Sequence, residues 1–169
     1  MIDEKTAISE VIKLVAELMV ASAKTAPKAR GVDNVVSVVL TSREEIETLA
    51  KKMEELAEIH GDFFKRDAES IRNSDAVVII GCKITNLGLK KPETLKFDPD
   101  YVNSLVNLGV AMGSAVKTAS LLNIDNRIMY SVGIAALELK ILDVDVAYGI
   151  PLSARSKNIY FDRVWPRKQ

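Results

Sequence analysis

Arg155 and Lys157 follow a predicted strand end and Pro151, and together they offer guanidinium and ammonium donors to one anion. Lys28 and Arg30 stand in a short loop entering another strand, where two cations either converge on a phosphate or stay solvated. Lys117 is a lone charge in a long apolar helix. It either meets an anion at a subunit seam or snorkels, its stem covering apolar surface. Cys82 closes an apolar strand, so its thiol is a redox group or a small core residue. His60, just before Gly61 at a helix end, is a base or a partner for the last carbonyls and the helix dipole. A single His rules out a Ser-His-Asp set, and no grouping of His, Cys and carboxylates has metal-ligand spacing.

The chain that must position these groups has 169 residues, which suits one domain (1–169) with a full hydrophobic core. Its 23 basic and 23 acidic residues cancel, leaving no net field to recruit nucleic acid or an acidic membrane. One cysteine excludes an internal disulfide, and the opening MIDEKTAISE carries three acids where a leader would be basic and then apolar. The expected location is the cytoplasm.

The central element is predicted over Asn103–Ile124, NSLVNLGVAMGSAVKTASLLNI, as a helix buried on most of its circumference. Asn103, Asn107, Ser114 and Thr118 fall on one side of it, with Lys117 at the edge, and that polar strip is expected to face water, a partner or a ligand. Gly109, Ala111, Gly113, Ala115 and Ala119 would admit a close helix crossing. The segment is long enough to raise the membrane question, but Lys117 and seven Ser, Thr or Asn residues interrupt it.

Upstream, Asp3 or Thr6 caps a helix to about Lys24, stopped by Thr25-Ala26-Pro27. Val35–Leu40 reads as a strand, and Ser42 with Glu45 forms a capping-box pattern opening a helix to about His60. Phe63–Ile71 is a shorter helix. Ala76–Cys82, AVVIIGC, is the most strand-like run and should be covered on both faces. Residues 83–99 lose periodicity and form an exposed, flexible connection. Beyond the central helix, Arg127–Val132 is predicted as a strand, Gly133–Leu139 as a helix, and Val144–Tyr148 as a strand ended by Gly149-Ile150-Pro151. The tail 152–169 is basic and aromatic, which suggests a docking role.

Two resemblances appear in these residues. The run from Leu108 to Arg163, LGVAMGSAVKTASLLNIDNRIMYSVGIAALELKILDVDVAYGIPLSARSKNIYFDR, together with TAPKARGVDN, resembles the uncharacterised archaeal and bacterial family said to contain a ferredoxin domain. That family carries a segment of the type Gly-Leu-x-Cys-Gly-x-Cys-Gly after the strand that ends here at Cys82. This chain has Thr85-Asn86-Leu87-Gly88-Leu89 there, without cysteine. A cluster needs about four thiolates, so an iron–sulfur cluster is not expected. Ala26-Pro27 before a loop and strand, and Gly149-x-Pro151 after the central helix, are similar to the nitroreductase family. Lys28 stands at that family's serine, Gly31 at its asparagine, Asp33 at its glutamine, Asn34 at its proline and Val35 at its tryptophan. The family's amino-terminal Arg-Ser-x-Arg motif is absent, while Arg155 and Lys157 lie roughly where its last phosphate contacts do.

The resemblance implies an α+β fold with a nitroreductase-like core: a mixed or antiparallel sheet of four to five strands, flanked by helices, with a long buried central helix. It implies a homodimer formed along that helix, with flavin mononucleotide (FMN) or another anionic ligand at the subunit boundary. The cofactor-binding residues expected are Lys28, Arg30, Gly31, Lys117, Gly149, Pro151, Arg155 and Lys157. The alternative is a scaffold or interaction subunit that has lost both cluster and flavin site. A third reading has two chains share a cluster through their Cys82 thiols.

Overall fold

A computed structural model describes residues 1–161. The order is α1 (Glu4–Thr25), a 3-10 turn (Ala29–Gly31), β1 (Val35–Leu40), α2 (Arg43–His60), α3 (Phe63–Arg72), β2 (Ala76–Cys82), α4 (Pro99–Leu121), β3 (Asp125–Asn126), α5 (Tyr130–Glu138) and β4 (Val146–Ser153). The strands form one antiparallel sheet in the order β1-β2-β4-β3. Cys82 pairs with Val35 and Val146 at one end of it, and Val77 pairs with Leu40 and Pro151 at the other.

Every residue of β2 is buried, as an unbroken apolar run requires. Alternation sends Ala76, Val78, Ile80 and Cys82 into a core shared with Ile12 and Met19 of α1 and Ala111, Ala115 and Ala119 of α4. Val77 and Ile79 enter a second core with Ile46 and Met53 of α2, Phe64 of α3 and Val132 of α5. The sheet is thus the middle layer of three. Helix starts obey their caps: Asp3 accepts from Thr6 N, Ser42 and Glu45 close a reciprocal box, and Asp98 accepts from Tyr101 N. Among the described residues no helix is long and apolar enough to cross a membrane.

Three sequence-based expectations need correction. Arg127–Val132 is not a strand: the chain pairs with β4 only at Asp125–Asn126 and through an isolated Met129–Gly149 bridge, and α5 already begins at Tyr130. The β-like pattern reflected burial of Met129, Ser131 and Val132 on a helix start. Gly149-Ile150-Pro151 does not end β4, which runs on to Ser153. Gly149 exchanges both backbone bonds with Met129. By alternation the nitrogen of Pro151 faces that same side, in the gap before the Asn126–Leu152 pair, where no donor is needed.

The third correction concerns α4, which is not buried on most of its circumference and whose expected polar strip does not face outward as a whole: Asn107 is buried, and Asn103, Ser114 and Thr118 are half-buried. Ser104 and Asn107 are buried and point inward, while Val106 and Val110 are 52% and 39% exposed, on one stripe with Gly109, Gly113 and Lys117. The helix therefore forms part of the subunit surface. Beside it, α1 exposes Val11, Leu14 and Leu18 at matching helical spacing.

Glycines at the α5–β4 contact allow two backbones to touch. A Cβ on Gly133 would lie 1.9 Å from the Ala147 carbonyl oxygen, and one on Gly149 would lie 2.0 Å from Val132 Cγ1. Gly133→Ala should lower the unfolding free energy by about 3 kcal/mol and Gly149→Ala by about 2 kcal/mol, since backbone yields less readily than a valine side chain. Urea denaturation midpoints check the size and the order.

Candidate functional site

The predicted site residues separate into two groups at opposite ends of the sheet. Lys28, Arg30 and Gly31 precede β1, at the Val35–Cys82–Val146 end. Arg155 and Lys157 follow β4, beyond the Leu40–Val77–Pro151 end. The strand between them has seven steps of roughly 3.3 Å, or about 23 Å. One small anion cannot meet both groups within one chain.

At the first end, Lys28 is already engaged. Its Nζ donates to the carbonyls of Ala23 at 3.0 Å and of Lys24 and Ala26 at 2.8 Å, closing the C-terminus of α1. Arg30 and Gly31 are both left-handed, with φ of 56° and 69°, which turns the chain sharply into β1. The Arg30 guanidinium donates through Nη1 to the Leu87 carbonyl at 2.8 Å. Beneath the turn runs a polar chain. Ala29 N donates to Asn107 Oδ1 at 2.7 Å, Asn107 Nδ2 to Asn34 Oδ1 at 3.0 Å, and Asn34 Nδ2 to the Lys83 carbonyl at 2.8 Å. Two buried asparagines thus tie the α1–β1 turn to the N-terminal half of α4 and to the exit of β2.

At the other end the carboxyl-terminal segment folds back on its own chain. Tyr160 is buried, its hydroxyl 2.9 Å from Ser74 Oγ, while burial pushes its pKa up and the Ser74 and Ser153 hydroxyls oppose that shift. Asn158 Nδ2 donates to Asp125 Oδ1, and Arg127 donates to the Tyr160 carbonyl with its guanidinium 5.3 Å from the Phe161 ring. This lock fixes the path of Ala154–Asn158. Arg155 Nη2 donates to the Asn73 carbonyl, and Arg155 lines an open cavity of about 320 Å³ with Glu4, Lys5, Ile8, Asp75 and Ala154. Lys157 is exposed. The tail's Arg163, Trp165, Arg167 and Lys168 lie outside the described residues.

Lys117 is exposed on the outer stripe of α4 and does not line the Arg155 cavity. Gly149 and Pro151 are buried in β4, and their geometry serves sheet and helix packing. Cys82 belongs to the core: burial, with a smaller contribution from Asp145, pushes its thiol from 9.0 up to about 11. His60 ends α2 and stacks on Phe64 at 5.1 Å between ring centroids.

The start of α5 was hidden from sequence reasoning by the strand predicted over it. Met129 provides no side-chain cap, and Tyr130 at the first helical position is 48% exposed while Ser131, Val132 and Gly133 are buried. The Tyr130 ring lies 6.2 Å from that of Tyr148 and 6.4 Å from that of Phe64. Below it, Ser131 Oγ donates to the buried Asp67 Oδ2 at 2.6 Å, and Arg66 holds Oδ1 with two donors. This position lies at mid-sheet, between the two cation groups.

Asn107→Ala should cost about 2 kcal/mol, because it strands the Ala29 amide and the Asn34 side chain together; thermal melts check it. The Cys82 thiol is held protonated in the fold, so its contribution to stability is complete below pH 9 and is lost as pH rises from 9.0 to about 11. Comparing unfolding free energies of the wild type and Cys82→Ala across that window should isolate this slope, and native Cys82 should resist alkylation at neutral pH.

Comparison with known proteins agrees with this architecture. Residues 98–163 match the family described as uncharacterized protein containing a ferredoxin domain. An uncharacterized protein of Archaeoglobus fulgidus is 40% identical over 185 residues, covering 99% of this chain and 100% of its own. Among solved structures, NfrA2 of B. megaterium superposes with a TM-score of 0.63 at 13% identity, over 91% of this chain and 61% of that one. Nitroreductase A of Vibrio parahaemolyticus gives 0.61 at 16% identity, over 92% and 62%. The NADPH:FMN oxidoreductase of Vibrio harveyi, solved with NAD+, gives 0.59 at 15% identity, over 91% and 63%. The chain spans about three-fifths of the length of these structures, and at such identities they establish the fold. The fold is nitroreductase-like, and the chain belongs to the family of uncharacterized proteins containing a ferredoxin domain.

Proposed function

We propose that the protein is a homodimer, closed along α1 and α4, that binds FMN or a related phosphate-bearing ligand at the subunit boundary and serves as an oxidoreductase of the flavin type. The observation that carries this reading is the outer stripe of α4, where Val106, Val110, Gly109 and Gly113 lie open at the surface with Lys117 at its end. No atom lies within 4 Å of a Cβ placed on either glycine, so a second backbone has room to approach both. Val11, Leu14, Leu18, Val106 and Val110 are each about half exposed. Covering them on two copies contributes on the order of 10 kcal/mol, comparable to the cost of association. A close crossing at the glycines would tip that balance.

A two-fold axis perpendicular to α4 near Gly109 and Gly113, the middle of the helix, would run the two copies in opposite senses. The Lys28–Gly31 turn, tied to α4 through Asn107, then approaches the half of the partner's helix that ends near β3 and the Arg155 segment. Cations that lie about 23 Å apart within one chain would thereby flank one boundary. Arg155 and Lys157 would hold the phosphate, and Lys117 would add charge at the seam. Bound flavin would supply the electron transfer, and this chain's residues would bind it, orient it and exclude water. The solved FMN oxidoreductase of the same fold supports this choice of ligand.

A specific observation favours the scaffold reading as the alternative: the Lys28 ammonium and one Arg30 donor already serve backbone carbonyls. Purified protein should run as a dimer in sedimentation and titrate with FMN to saturation, with Arg155→Ala weakening the phosphate-bearing ligand about tenfold or more and riboflavin much less. A dimer without saturable flavin binding would select the scaffold. Gly113→Leu should give monomers, whereas Gly109→Ala in a chain that stays monomeric should raise stability by about 1 kcal/mol.

A further inference from the structure

We infer that the connection Lys83–Asp98 is held in place by an arginine clasp built from Arg30 and Gly88, and that this segment organises itself without metal. The inference is independent of flavin and of the dimer. It bears on the ferredoxin domain in the family's description, because a cluster requires about four thiolates and the chain has one cysteine. Cys82 is fully buried in the α1–α4 core. His60 packs on Phe64, on the other side of the sheet. Among the described residues no three His, Cys, Asp or Glu side chains gather in metal-binding range. The donor set therefore does not fit a cluster.

What orders the segment is visible in its hydrogen bonds. Ile84 N donates to Asp145 Oδ2 at 2.7 Å, Thr85 N to Ser104 Oγ at 3.2 Å, and Leu89 N to Asp100 Oδ1 at 3.2 Å. Asp145 and Asp100 thus already accept from the segment's backbone, Asp143 pairs with the Lys83 ammonium, and Asp98 caps α4. Leu87 is buried as a plug, and its carbonyl receives Arg30 Nη1. Arg30 holds a left-handed conformation that glycine would adopt at less cost, so the arginine has a reason to be there beyond the turn. That reason is reach. Its guanidinium lies over Gly88, where a Cβ would sit 2.9 Å from Nη1, and Gly88 has a φ of 67°. Arg30 and Gly88 are a matched pair that makes the α1–β1 turn and the β2–α4 connection move as one body.

Arg30→Gly tests this cleanly, since it removes the clasp while relieving the backbone that the clasp strains. Hydrogen exchange on the full-length variant should show the amides of residues 84–89 exchanging about tenfold faster or more, with the global melting temperature held or raised. Gly88→Ala should give the same local loosening through steric expulsion of the guanidinium. Wild-type protein purified without oxygen and offered iron and sulfide should bind no stoichiometric iron, and a chelator should leave exchange at 84–89 unchanged. Unaltered exchange in Arg30→Gly would overturn the clasp. Stoichiometric iron whose visible absorbance disappears in Cys82→Ser, or loosening of the segment by chelator, would overturn the metal-free reading.

Discussion

The constraint on which this structure depends is the burial of β2 on both faces. Seven consecutive residues without solvent contact demand a helical layer above and another below. The antiparallel partners β1 and β4 follow from the need to satisfy both edges of that strand. Polar chemistry is thereby expelled from the faces of the sheet to its two ends and to the flank where β4 loses its neighbour. The cation groups and the uncapped start of α5 occupy those three places.

Within this frame α4 does two jobs that conventional amphipathicity would assign to opposite faces. Its inward side carries Ser104 and Asn107, which hydrogen-bond the connection at Thr85 and the turn at Ala29. Asn107 uses both its donor and acceptor on buried partners, so its desolvation is repaid and the turn is located in space. The outward side carries valines and glycines. The inward side of α4 thus mixes Ser104 and Asn107 with the core residues Leu108, Ala111, Ala115 and Ala119, while Val106 and Val110 are left on the outward side with Lys117.

This arrangement marks the boundary of what the sequence made legible. The helix starts at Asp3 and Ser42, the doubly covered β2 and the small residues of α4 were readable because each rests on local chemistry or strict periodicity. The outward or inward sense of α4 was not, since apolar and small residues lie all around it and only tertiary partners such as Asn34 choose the face. The segment Arg127–Val132 misled because a short run of apolar residues after a turn, buried here at a helix start, imitates a strand. Pro151 misled because its exclusion from strands is conditional on a ladder partner that happens to be missing on that side. For the candidate cations, the sequence shows which they are and not how the fold distributes them. Nothing local in Lys28 reveals that its ammonium caps α1, or in Arg155 that β4 carries it to the far end of the sheet.

The glycines separate the internal contacts of the subunit from those it leaves unmade. Gly133 and Gly149 are explained within the chain, because any side chain there would overlap α5 or β4. Gly109 and Gly113 stand mid-helix with open space around them, each less favourable than alanine by about 1 kcal/mol. That cost is not offset by any contact among the described residues. Half-exposed Val106 and Val110 on the same stripe add unburied apolar surface to the same account. A lone subunit would be more stable with alanine at both positions and with polar residues beside them. The stripe therefore has the composition of an interior surface, which is what the proposed dimer would make of it.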